Sequence, residues 1–150
     1  MNIDSLKSIE KLNYRLRGAD AEVISIDLLE KRIKEMNDAD YDLPLLVMRD
    51  TVSSGSLFHP VREECLVLTN KNHTQDYFSY CALIRKQGKM ATVSFFYYGS
   101  SKLTGRMNAS KNGEHPIKGL LAGALLNKNA YEEEYEYYDM LDQLCSELFE

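Results

Sequence analysis

The sequence predicts an α+β domain spanning residues 1–150: an antiparallel β-meander of three to five strands, with two N-terminal and two C-terminal helices packed on it. Three observations carry that expectation. The runs ECLVLTN, DYFSYCALIR and MATVSFFYYG are rich in β-branched and aromatic residues. Only the short, turn-like KNHTQ and KQGK separate them, and short connections join antiparallel neighbours. Segments with a helical apolar period lie before and after this block.

Taken in order, IDSLKSIEKLNYRLRG reads as a first helix. Asp4 or Ser5 caps it, Leu6, Ile9, Leu12 and Leu16 recur at helical spacing, and Gly18 ends it. ADAEVI reads as a short strand or a link. SIDLLEKRIKEMND reads as a second helix, with Ser25 as N-cap and Ile26, Leu29, Ile33 and Met36 in one stripe. LPLLVMRD reads as a strand, because proline at position 44 suits a strand's first residue. TVSSGSLFHP, with its Ser, Gly and Pro, reads as loop.

The meander then runs from about Glu64 to Tyr98. In its last strand Val93, Phe95 and Tyr97 share one face, directed to the core. Thr92, Ser94, Phe96 and Tyr98 share the other, so the second face is not simply wet. GSSKLTGRMNASKNGEHP is basic and turn-rich, and PIKGLLAGALLNKN predicts a third helix with Pro116 in its first turn. The terminal YEEEYEYYDMLDQLCSELFE is amphipathic. Tyr137, Tyr138, Leu141, Leu144, Cys145, Leu148 and Phe149 fall on one face at helical spacing, and the acids fall opposite, with Glu134 and Met140 out of place. It therefore reads as a packed helix with an acidic outside.

Composition bounds the class. Of 150 residues, 44% are hydrophobic, 27% charged and 10% aromatic, which suits a folded domain and not a disordered chain. No signal-peptide pattern and no run long enough to span a bilayer is present, and Cys65, Cys81 and Cys145 form no close pair. A cytoplasmic protein with reduced thiols and no membrane association is the expectation. The net charge of −5 is unevenly spread. Residues 85–128 hold eight basic side chains against Glu114 alone, whereas 129–150 hold eight acids and no base.

The chemistry is mostly negative. His59, Cys65, His73, Cys81 and His115 lack the close pairing of zinc ligands. No nucleophile elbow occurs, although Asp50, Ser53, Ser54, Ser56 and His59 allow a small hydrolase in the 50–59 loop. GSSKLTGR departs from a phosphate-binding loop by one residue between its glycines, with Arg106 where a Lys belongs. Lys102, Arg106 and Lys111 in the 99–111 loop remain an anion-binding or nucleic-acid-binding candidate. No cofactor and no metal is implied. The leading expectation is a non-enzymatic protein–protein interaction module. It would use Phe96 and Tyr98 on an exposed sheet face, or the acidic final helix, to bind a protein partner or another copy of itself. Nucleic acid ranks below protein because the chain is acidic overall.

Overall fold

A computed structural model describes residues 11–56, 58–72, 78–99 and 128–150. It is an α+β arrangement of five antiparallel strands and three helices: β1 (Lys11–Arg17), α1 (Ala19–Val23), α2 (Ile26–Met36), β2 (Leu45–Ser56), β3 (His59–Asn70), β4 (Phe78–Gln87), β5 (Met90–Gly99) and α3 (Lys128–Glu147). The strand order is β1-β5-β4-β3-β2. The expected meander is β3–β5, extended by β2 at one edge and closed by β1 at the other.

β1 corrects the first predicted helix, whose residues 3–10 lie outside the described residues. Leu12, Tyr14 and Leu16 are partly buried against the core, while Asn13, Arg15 and Arg17 are exposed. That is a period of two. Leu12 and Leu16 satisfy both a helical and a strand spacing; Tyr14 between them decides for the strand. β5 supplies the partner, with Leu12 opposite Phe95 and Leu16 opposite Ala91. Gly18 is still a terminator, but of a strand: φ 61°, ψ −134° turns the chain into α1, a conformation a Cβ disfavours.

The link read as strand or connection is the five-residue helix α1, which buries Ala21. α2 forms as expected. The Leu28 amide donates to Ser25 Oγ at 3.1 Å, satisfying one of the free N–H groups of the first turn. Leu29 and Ile33 are fully buried. A π-helical turn over Asn37–Tyr41 follows and ends at Asp42, which is left-handed at φ 50°. Asn37 is buried there and clamps the exit: its Nδ2 donates to the Leu43 carbonyl at 3.1 Å and the Leu43 amide donates to its Oδ1 at 3.0 Å.

The segment expected as a 50–59 loop is also corrected. β2 continues to Ser56 and pairs with β3 without interruption, from Leu45 opposite Asn70 to Ser56 opposite His59. Small polar residues tolerate a strand when a neighbouring strand completes the backbone ladder, and Val52 anchors this one by complete burial. β4 and β5 are joined by the two-residue turn Gly88-Lys89, with Gly88 at φ 60°, as a glycine-first hairpin turn requires.

All three helices pack on one face of the sheet, the first face. α3 lies there as the C-terminal pattern predicts: Tyr137, Tyr138, Leu141, Leu144 and Cys145 are buried, and Met140 is out at 40% exposure. Each buried Leu contributes about 1.5–3 kcal/mol. The tyrosines explain the composition of this end. Tyr80 Oη donates to Asp142 Oδ1 at 2.6 Å, Tyr41 Oη to Glu147 Oε2 at 2.7 Å, Tyr137 Oη to the Thr69 carbonyl at 2.9 Å and Tyr14 Oη to Ser146 Oγ at 3.3 Å. Buried rings thus keep their hydroxyls satisfied. The predicted helix at PIKGLLAGALLNKN lies outside the described residues.

Candidate binding face of the sheet

The second face of the sheet divides into two halves. At the β2–β3–β4 side, Val52, Cys65, Val67, Cys81, Leu83 and Phe96 form a buried cluster to which, among the described residues, only strands contribute. Phe96 is 3% exposed. The expectation of an exposed aromatic patch is therefore corrected at this residue. The alternation placed Phe96 on the right face, but the ring packs beside its cross-strand partner Cys81 and is closed off from water. Tyr98 pairs with Ser79, and its side chain lies outside the described residues.

The other half, toward β1, is polar and open. Cross-strand register lines it up in rows. Arg15, Thr92 and Arg85 form one row across β1, β5 and β4; Asn13 and Ser94 form the next; Met90 and Gln87 close the end. Together they line a concavity of about 440 Å³. Alternate residues of a strand share a face, so the period that buries Leu12, Tyr14 and Leu16 on one side is what presents Asn13 and Arg15 on the other.

The two arginines differ in their surroundings. Glu63 grips Arg85 from β3: Nε donates to Oε1 and Oε2 at 3.0 and 3.1 Å, and Nη2 to Oε2 at 2.7 Å. This carboxylate raises the Arg85 pKa further above its ordinary value. The fork also fixes the guanidinium in place. Its Nη1 makes no hydrogen bond among the described residues. Arg15 is exposed and has no ion-pair partner among the described residues. The Ser94 hydroxyl donates to Asn13 Oδ1 at 2.7 Å across β1 and β5. Arg49, on the first face, is by contrast wholly engaged, bridging Asp27 and Glu30 of α2 to Glu64 of β3.

The register gives the other candidates little. Asp50 sits opposite Cys65, six positions along β3 from His59, which is roughly 20 Å in an extended strand. Asp50, Ser53, Ser54 and His59 are therefore not gathered at one point; Ser56 alone lies directly opposite His59. Cys65, Cys81 and Cys145 are all free and buried. The hydrogen bond between Cys65 and Cys81 lowers the Cys65 thiol and, with burial, pushes the Cys81 thiol well up; burial pushes Cys145 up as well, so Cys81 and Cys145 are shifted opposite to what a nucleophilic thiol needs. Among the described residues no group of three His, Cys, Asp or Glu is placed to hold a metal, and no helix is long and apolar enough to cross a membrane. Lys102, Arg106 and Lys111 lie outside the described residues.

Arg15 and Asn13 were hidden in the sequence because their segment reads as a helix. The signal that reveals them is the strict polar–apolar alternation of KLNYRLR. No family model, no curated protein and no solved structure matches this chain.

Proposed function

We propose that the chain is a non-catalytic interaction module, and that the arginine-bearing half of its second sheet face receives an acidic segment of a protein partner. The observation that carries this reading is the open concavity lined by Arg15 and Arg85 on a chain whose net charge is −5. Local charge of one sign on a protein of the opposite sign selects partners and steers their approach. An acidic protein segment is favoured over single-stranded nucleic acid on two grounds. Stacking platforms are what hold unpaired bases on a sheet, and Phe96 on this face is buried. A long polyanion would also meet the repulsion of the whole acidic chain.

The test is a titration of ¹⁵N-labelled protein with a hexaglutamate peptide. The expected result is saturable shifts at the amides of Arg15, Arg85, Thr92 and Ser94, weakened at least fivefold by 300 mM NaCl and abolished by Arg15→Glu. Saturable shifts centred on any other surface would overturn the assignment. So would dimerisation of the free protein that Arg15→Glu disrupts, since a second copy would then be the occupant.

A further inference from the structure

We infer that the Arg15–Thr92–Arg85 row is a phosphoryl-binding site, which reads a phosphorylated side chain on the acidic segment; this rests on the reading that this face is the binding surface. Neighbouring strands lie about 4.8 Å apart, so Arg15 and Arg85, separated by β5, have backbones roughly 10 Å apart. Glu63 on β3 holds the Arg85 guanidinium from the side away from β5, and Arg85 and Arg15 both line the one concavity, with Thr92 between them in register.

The donors come from different directions. Arg85 is already fixed by Glu63 through Nε and Nη2, which leaves Nη1 for a ligand. Arg15 brings a whole guanidinium with no ion-pair partner among the described residues, and Thr92 brings a hydroxyl. A carboxylate has two oxygens in one plane, and a single arginine fork satisfies it, as Glu63 and Arg85 illustrate. A phosphoryl ester has three terminal oxygens and a charge of about −1.5 to −2. It can give a separate oxygen to each of three donors carried by three neighbouring strands. Donors held in advance by the sheet and by Glu63 lose little freedom on binding.

The experiment compares three peptides of one acidic sequence, carrying phosphoserine, serine or glutamate at the central position, together with inorganic phosphate, by the same amide titration. The expected result is that the phosphoserine peptide binds at least tenfold more tightly than the glutamate peptide. Arg15→Ala and Thr92→Val, both at the surface, should each erase that ratio while weak binding of the glutamate peptide survives Thr92→Val. Affinity for the phosphoserine peptide should also fall as pH is lowered through about 6, where the ester takes up its second proton. Equal affinities for phosphoserine and glutamate peptides, both mapping to this face, would overturn the phosphoryl site and leave the binding face standing. Inorganic phosphate binding as tightly as the phosphoserine peptide would overturn the protein source. Failure of every peptide to shift these amides would overturn the face itself.

Discussion

Replacing Asn37 by Ala should destabilise the protein by about 1–2 kcal/mol, because that side chain is the acceptor that satisfies the buried Leu43 amide. Both Leu43 backbone groups point into it, the carbonyl accepting at 3.1 Å and the amide donating at 3.0 Å. Asn37 is 7% exposed and Leu43 9%, so water has little access to take its place. A stranded buried donor costs about 1–3 kcal/mol; the Leu43 amide is stranded, whereas the Leu43 carbonyl keeps the Leu45 amide at 2.7 Å. Ala recovers up to about 0.7 kcal/mol of helical preference over Asn, and partial hydration of Leu43 recovers some more. At this chain length the loss corresponds to roughly 2–8 °C in Tm. Asn37→Asp sharpens the test. The carboxylate still accepts from the Leu43 amide but sets a second oxygen against the Leu43 carbonyl. It should therefore be worse than Ala at pH 7. It should recover as pH falls and the acid regains a proton to donate, since a carboxyl whose folded pKa is raised stabilises below its unfolded pKa and loses that contribution as pH rises. Urea denaturation followed by circular dichroism at pH 7 and pH 4 measures both. A cost below about 0.5 kcal/mol for Asn37→Ala, or Asn37→Asp more stable than Asn37→Ala at pH 7, would refute the clamp.

Two further outcomes follow from backbone geometry and from titration. Gly18→Ala should cost about 1–3 kcal/mol although nothing lies within 4 Å of the added Cβ, because φ 61° with ψ −134° is strained for an L side chain; thermal unfolding that matches the parent within 1 °C would contradict it. Tyr41 is held up to about 12, by burial first and then by its hydrogen bond to Glu147. A raised pKa means that its contribution is intact below about pH 10, the ordinary tyrosine value, and is lost as pH rises from there through 12. Tyr41→Phe should therefore flatten the urea midpoint between pH 10 and 12 relative to the parent, and an unchanged alkaline slope would dismiss that contact.

What the sequence made legible was whatever a local pattern determines. The Ser25 cap needs only the first turn of α2, and the amphipathic end of the chain named its own buried face, down to Met140 as the residue that does not fit. The alternation in β5 sorted Val93 and Phe95 from Thr92, Ser94 and Phe96 correctly. Errors arose where the cause lies far along the chain. Lys11–Arg17 is a strand because Met90–Phe96 offers it an edge. Residues 50–56 are a strand because His59 to Cys65 complete the ladder. Burial of Phe96 is likewise a property of the assembled face, not of the alternation that placed it there. The candidate site inherits this: it takes residues from β1, β4 and β5, so misreading β1 removed Asn13 and Arg15 from view and left Arg85, Thr92 and Ser94 with no partner to suggest a surface.

The two sides of the sheet also explain why a net charge of −5 is a poor guide to this molecule. Helix α3 packs on the first face and turns Glu133, Glu136 and Asp139 outward. Arg15, Arg17 and Arg85 emerge on the opposite side. At physiological salt the screening length is about 8 Å, so across the thickness of a helix and a sheet the two fields hardly cancel. An acidic partner is repelled by one side and drawn to the other, which gives orientation before any contact forms. Self-association through opposite charges would have to stack one molecule's helix on the next molecule's sheet, head to tail, and such contacts form rings or open chains rather than two-fold dimers. A foreign acidic segment occupies the arginine row without that consequence. The same sheet thus serves both ends of the argument: its first face is sealed by tyrosines and leucines that hold α3, and that rigidity is what keeps Arg15 and Arg85 at a fixed separation on its second.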